Sequence, residues 1–172
     1  MENASAYKWL VGLPAPKMIT EAVRLWQNLE KPVAGGALLE EWRLECLGRT
    51  AKSVVLDPVP WSGTFITVVA HRARKTLPPA PQWALNWAKF GVEAGQPQLG
   101  DVLCLMCENG AQVGLYVGED DAAYHSLGAH HPDRIAIVRI PKIHLYAARR
   151  PIYQDLERTA RTIRLTREGT PV

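Results

Sequence analysis

The hydrophobic pattern of this chain changes its period at Gly100, and this change constrains the fold more than any other feature. Before Gly100, apolar residues recur every three or four positions, which is typical of amphipathic helices. After Gly100, short runs of β-branched, aromatic and apolar residues are separated by turn residues, which is typical of strands. Helices followed by an antiparallel meander predict an α+β fold rather than a parallel sheet.

Both halves can be divided into elements. The predicted helices are residues 16–30, residues 37–47, a helix opened by Trp61-Ser62-Gly63, and a short helix with Trp83, Trp87 and Phe90 on its packing side. The predicted strands are residues 101–107, 112–118, 122–128, 134–140 and 144–149. We therefore expect N-terminal helices packed on a small antiparallel sheet of about five strands. Helical spacing also places Trp26, Trp42, Trp83 and Trp87 in the core rather than on a sugar-binding surface.

Length and charge limit the organisation of the chain. Its 172 residues fit one domain, which we expect over residues 1–155, followed by a basic C-terminal arm over residues 156–172. The formal net charge of +3 is too small to indicate nucleic-acid binding. The start of the chain lacks a charged segment followed by an apolar one, and no apolar run approaches a membrane span. These features predict synthesis in the cytoplasm without a signal peptide, and no membrane partner.

Cysteine and histidine spacing gives little reason to expect a metal or another cofactor. The chain has three cysteines, and Cys104 and Cys107 have the spacing of a zinc or redox pair. They lie in an apolar run without a second matching pair, so core packing is the favoured interpretation. His130 and His131 are adjacent in a predicted strand and would point to opposite faces, which argues against one shared ion.

Four motifs occur in a characteristic order. They are Pro60-Trp61-Ser62-Gly63 before a helix, Leu99-Gly100-Asp101-Val102 opening a strand, Ala111–Gly118 as the next strand, and Tyr124–His131 after it. Together they resemble the CHAP and NlpC-type cysteine peptidases, and most of all a small phage- and prophage-associated branch. The resemblance covers roughly residues 7–155. It implies a papain-like fold and cleavage of an amide or peptide bond in bacterial peptidoglycan.

The resemblance also assigns roles to positions, and the chain departs from the pattern at each catalytic one. Ser62 stands at the position of the family's nucleophilic cysteine, and Gln112 at that of its basic histidine. His130 stands at the position of the asparagine that orients the histidine. Trp61 and Gly63 would line the substrate groove.

These replacements remove the family's route for proton transfer. A serine hydroxyl needs a positioned base to lose its proton during attack, whereas an amide such as Gln112 takes up no proton near neutral pH. Ser62 also suits a structural role at or near a helix N-cap. We therefore expect a non-catalytic relative, retained as a structural or binding module. Its expected partners are phage or bacterial structural proteins, for instance in a virion tail or baseplate, or peptidoglycan itself.

Three other interpretations of the sequence remain open. A rewired amidase or endopeptidase would pair Ser62 with His125 or His130 as the base, with Asp101 or Asp133 behind it. A partner-binding protein, such as an inhibitor of a true hydrolase, would use the basic arm as its contact. An engineered cysteine replacement would also explain Ser62, although Gln112 argues against it. A cell-wall-directed protein of this kind would act in a virion or, after release by a phage system, in the periplasm.

Overall fold

The structure, a computed structural model, describes residues 4–28, 36–48, 61–131, 134–154 and 159–172. All three α-helices in these ranges precede the six strands along the chain. The α+β class expected from the change of hydrophobic period is therefore confirmed.

The helices follow the apolar spacing of the sequence. They are α1 (Lys17–Asn28), α2 (Gly36–Leu47) and α3 (Trp61–Arg72), with 3-10 helices over Ala4–Leu10, Ala84–Lys89 and Lys142–His144. Residues 29 and 30 of the first predicted helix lie outside the described residues. The short helix predicted around Trp87 is the second 3-10 helix. Trp87 and Phe90 are buried there as expected, but Trp83 is 47% exposed and its predicted place in the core is wrong.

Helix α3 ends in a Schellman motif that contains an unusual residue. The Arg74 amide donates to the His71 carbonyl, and the Lys75 amide donates to the Ala70 carbonyl. The position between helix and loop requires a positive φ and is normally a glycine, yet here it is Arg74 with φ 57°. A non-glycine residue in this conformation costs roughly 1–2 kcal/mol.

The strands form one antiparallel sheet in the order β1-β6-β2-β3-β4-β5. Their bounds are β1 (Val92–Glu93), β2 (Val102–Cys107), β3 (Gly110–Glu119), β4 (Ala123–His131), β5 (Arg134–Pro141) and β6 (Leu145–Arg150). Within the described ranges the sheet has six strands rather than the expected five. The additional strand, β1, has only two residues, which is too short to leave an alternating pattern in the sequence.

The two faces of the sheet carry separate apolar clusters. The helix face contributes Val113, Leu115, Leu127 and Ala129 to a core shared with Ile19, Phe65 and Val68 of the helices. The distal face contributes a second cluster of Leu103, Leu105, Tyr116, Tyr124 and Ile140. Successive side chains of a regular strand point to opposite faces, so residues two positions apart belong to the same cluster.

The described part of the C-terminal segment packs against the domain and does not project from it. Ile163 and Leu165 are buried in the helix-face core. The Glu119 amide donates to the Ile163 carbonyl, and the Leu165 amide donates to the Glu119 carbonyl. The Trp9 indole N–H donates to the Gly169 carbonyl at 2.9 Å. Residues 159–172 are therefore joined to both the sheet and the first 3-10 helix.

Among the described residues, no helix combines the length and the apolarity needed to cross a bilayer.

Candidate functional site

Ser62 lies in the first turn of α3, one residue after the start of the helix. Its side chain is 8% exposed. The neighbouring Gly63 lies against the backbone of Gln82 so closely that a Cβ atom at position 63 would overlap the Gln82 carbonyl oxygen. Trp61, the expected groove residue beside Ser62, is half-buried and packs on the helix-face core. The start of α3 is therefore covered by the loop that contains Gln82.

Gln112 and His130, to which the resemblance assigns the second and third catalytic positions, are hydrogen-bonded to each other. Nδ1 of His130 lies 3.0 Å from Oε1 of Gln112. Because an amide oxygen only accepts, the imidazole donates through Nδ1. The structure thus brings together two of the three positions that the resemblance predicts, with the imidazole on β4 rather than on β3.

Two glycines make room for the His130 ring. A Cβ atom at Gly128 would lie 2.8 Å from its Nε2 atom, and one at Gly114 would lie 3.0 Å from it. The same Cβ atom at Gly114 would overlap the Oγ atom of Ser126. Ser126 is fully buried, and its hydroxyl has no hydrogen-bond partner among the described residues. The His130 ring therefore occupies space that is open only because positions 114 and 128 have no side chain.

The sheet separates this pair from Ser62. Gln112 lies opposite Leu105 across the β2–β3 ladder, and Leu105 belongs to the distal-face cluster. His130 follows Ala129, which belongs to the helix-face core that α3 shares. By strand alternation, Gln112 and His130 point to the distal face, away from α3. The structure does not gather the three positions into one centre.

His125, the other candidate base, is held in a buried network. The Tyr7 hydroxyl donates to Nδ1 of His125 at 2.6 Å, and Nε2 donates to Oδ2 of Asp120 at 3.1 Å. Arg139 forms two further hydrogen bonds to the Asp120 carboxylate, at 2.6 and 2.9 Å. Both ring nitrogens are thus occupied, and the side chain is fully buried. His125 has no lone pair available to a hydroxyl outside this network.

Burial and charge act in opposite directions on this network. Burial lowers the pKa of His125, and the Asp120 carboxylate offsets only part of this effect. The hydrogen bonds from Arg139 hold the pKa of Asp120 well below its usual range. The network therefore contains a neutral imidazole between a phenol and an ionised carboxylate near neutral pH.

Of the two candidate acids behind the base, only Asp101 is described, and it does not contact an imidazole. Asp101 is fully buried and accepts two hydrogen bonds from Arg150, at 3.1 and 2.8 Å, and one from the Gln98 amide at 2.8 Å. Burial raises the pKa of Asp101, although Arg150 lowers it. Asp133 lies outside the described residues. Asp101 is therefore a partner of Arg150 rather than of an imidazole.

Ser62 has no imidazole partner in the part of the chain that the structure describes. Hydrogen bonds engage His125 with Tyr7 and Asp120, His130 with Gln112, and His144 with the Met106 carbonyl. No hydrogen bond joins any described imidazole to the Ser62 hydroxyl. A Ser–His pair of the kind that a rewired hydrolase needs is therefore absent among these residues.

The cysteines are free thiols in different surroundings. Cys104 belongs to the helix-face core, whereas Cys107 packs against the distal-face cluster, so the two thiols point to opposite faces. Burial raises the pKa of Cys104 to about 12. Within the described ranges, no group of three or more His, Cys, Asp or Glu side chains is placed to hold a metal ion.

Three arginines in the last quarter of the chain, Arg149, Arg150 and Arg164, are engaged with the domain itself. Arg149 donates to the Phe90 carbonyl at 2.7 Å, and Arg150 binds Asp101. Arg164 lies 3.2 Å from the buried carboxylate of Glu119 and also pairs with Asp121. These contacts leave less positive charge for a polyanion than the sequence indicates.

Comparison with protein-family models gives no match, and comparison with curated proteins gives no significant relative. Sequence reasoning missed the network of Tyr7, Asp120 and Arg139 around His125. A contact between Tyr7 and His125, 118 residues apart, leaves no local signal in the sequence.

Proposed function

We propose that this protein is a non-catalytic relative of the phage-type peptidoglycan hydrolases, acting as a structural or binding module. The order of the motifs around Ser62, Asp101 and Gln112 supports the relationship. The α+β arrangement, with a helix beginning at Trp61 and packing on an antiparallel sheet, is compatible with it. The proposal includes a papain-like arrangement of these helices and strands.

One observation supports the absence of catalysis. The two imidazoles that could serve Ser62 are bound elsewhere, His125 by Tyr7 and Asp120 and His130 by Gln112. A serine without a base within hydrogen-bond reach has no route for losing its proton during attack. This supports a module that contributes shape or binding rather than bond cleavage.

The first experiment measures release of soluble amines and reducing sugars from purified peptidoglycan. The wild-type protein and Ser62→Ala should both release no more than buffer, while an active cell-wall amidase serves as the positive control. Release by the wild type that Ser62→Ala abolishes would contradict the proposal.

A second experiment restores the family's residues. The double variant Ser62→Cys/Gln112→His carries the nucleophile and the base at the expected positions. We expect it to remain inactive, because residue 112 lies on the distal face and α3 packs on the helix face. Peptidoglycan cleavage by this variant, but not by Ser62→Cys alone, would mean that the two positions meet.

A third experiment separates a binding role from a structural one. Cosedimentation with purified peptidoglycan measures retention of the intact protein, with bovine serum albumin as the control. Retention assigns a cell-wall-binding module. Its absence leaves incorporation into a phage assembly such as a tail or baseplate, which antibody labelling of purified virions tests directly.

A further inference from the structure

A groove of about 740 Å³ lies between the end of α3, the start of α1 and the segment after β6. Its lining includes three cations and an apolar wall, formed by Lys17, Arg74, Lys75, Phe90, Ile152 and Tyr153. No carboxylate is among the described lining residues. The groove does not include Ser62, Gln112 or His130 and is separate from the site described above.

Two of these cations have no ion-pair partner among the described residues. Lys17 and Arg74 are both exposed at the groove, and neither forms a salt bridge with a described carboxylate. In contrast, Arg72, two residues before Arg74, pairs with Glu45 at 2.7 Å. Among the described residues, the unpaired cations Lys17 and Arg74 therefore lie at the groove, whereas the charge of Arg72 is neutralised.

The third cation helps to form the wall. The Lys75 ammonium donates to the Ile152 carbonyl at 2.8 Å and lies 4.5 Å from the centroid of the Tyr153 ring. These contacts hold the segment after β6 against the end of α3. They also place the Tyr153 ring and the 64% exposed Ile152 beside the two free cations.

Arg74 is placed at the groove by a strained backbone. Its positive φ occurs at a helix-ending position where glycine is the usual residue. A residue held in an unfavourable conformation beside a cavity is a common feature of ligand sites. Here the strained residue supplies the guanidinium, which glycine would remove.

We propose that this groove binds a phosphate ester with an apolar or aromatic body. The Arg74 guanidinium offers a planar set of donors that matches phosphate oxygens, and the Lys17 ammonium adds a second charge. Ile152 and Tyr153 contact the body of the ligand. The size of the groove is within the range of small-molecule sites. This proposal does not depend on the proposed function.

The test uses phenyl phosphate as the probe and follows binding to the full chain by isothermal titration calorimetry. Arg74→Gly removes the guanidinium and relieves the backbone, so the variant should stay folded while its affinity falls about tenfold or more. Lys17→Gln should weaken binding in the same direction. Ala80→Gly is the matched control, because Ala80 is the other described non-glycine residue with a positive φ and lies outside the groove lining. It should bind as the wild type does.

Two further probes identify the chemistry. Phenol should bind at least tenfold more weakly than phenyl phosphate, since it lacks the charged group. Diphenyl phosphate tests whether the ligand is a phosphodiester. Tighter binding of phenyl phosphate indicates a terminal phosphate, and tighter binding of diphenyl phosphate indicates the phosphodiester of a polymer. Equal affinity of wild type and Arg74→Gly for phenyl phosphate, or equal affinity of the wild type for phenol and phenyl phosphate, would overturn the proposal.

Discussion

The Tyr7 hydroxyl lies 2.6 Å from Nδ1 of His125 and joins the first 3-10 helix to the first part of strand β4. Through His125 the contact extends to Asp120 and Arg139, so one buried chain of hydrogen bonds spans three elements. The ring of Tyr7 also lies directly under Gly169. This tyrosine therefore connects both ends of the described chain to the sheet.

Tyr7→Phe should destabilise the protein because it removes the hydroxyl that donates a hydrogen bond to the fully buried His125 imidazole. We expect a loss of about 1–3 kcal/mol in the free energy of unfolding, measured by urea denaturation. Tyr146→Phe is the control, because Tyr146 is 60% exposed and should change stability little. Equal losses in the two variants would mean that the buried contact contributes nothing.

Stability should depend on pH through His125. Burial lowers the pKa of His125 in the folded state, so the unfolded chain binds the proton more readily. Between the lowered pKa and the unfolded value of about 6.5, the free energy of unfolding should rise with pH. Above that value this contribution is fully present, and it is lost as pH falls through the window. Chemical denaturation at a series of pH values should give a smaller slope for His125→Gln than for wild type.

Gly63→Ala should destabilise the start of α3. The added methyl group would overlap the Gln82 carbonyl, so the loop must move or the helix must shift. We expect a cost of about 1–3 kcal/mol. Gly95→Ala is the matched control, because a Cβ atom there meets nothing within 4 Å. Thermal denaturation of both variants checks the difference, and a Gly63→Ala midpoint no lower than that of Gly95→Ala would refute the close contact.

Leu165→Ala should show that the C-terminal segment belongs to the domain. Leu165 is 3% exposed and packs in the helix-face core, so truncation should cost about 2–5 kcal/mol. Val172→Ala, at a residue 91% exposed, should cost far less. Guanidinium denaturation compares them. A separable arm, in contrast, would tolerate both changes equally.

The sequence predicted the elements better than their assembly. The spacing of Met18, Ile19, Ala22, Val23 and Trp26 predicts α1, because an amphipathic helix records its buried face locally. The apolar runs after Gly100 predict β2 to β6 for the same reason. Strand β1 has only two residues and produces no periodic signal. Residues 162–166 do alternate like an edge strand, but the elements that Ile163 and Leu165 pack against are distant in the chain and cannot be predicted from that alternation.

The candidate site was predictable only in part. The order of the motifs predicts that residues 112 and 130 belong to the same site, and their side chains are hydrogen-bonded. Which sheet face they occupy relative to α3 is set by the register of β2 and β3 and by helix packing. Neither is encoded in the motif itself, because a shift of one residue reverses the face of every side chain.

The bond between Glu119 and Arg164 has a consequence for synthesis of the chain. The carboxylate of Glu119 is buried, and one of its cationic partners follows 45 residues later. At translation speeds of about 5–20 residues per second, the end of β3 waits on the order of seconds for that partner. Until Arg164 leaves the ribosome, Lys142 is the only cation among the described residues that can pair with this carboxylate, and nascent-chain folding should complete late.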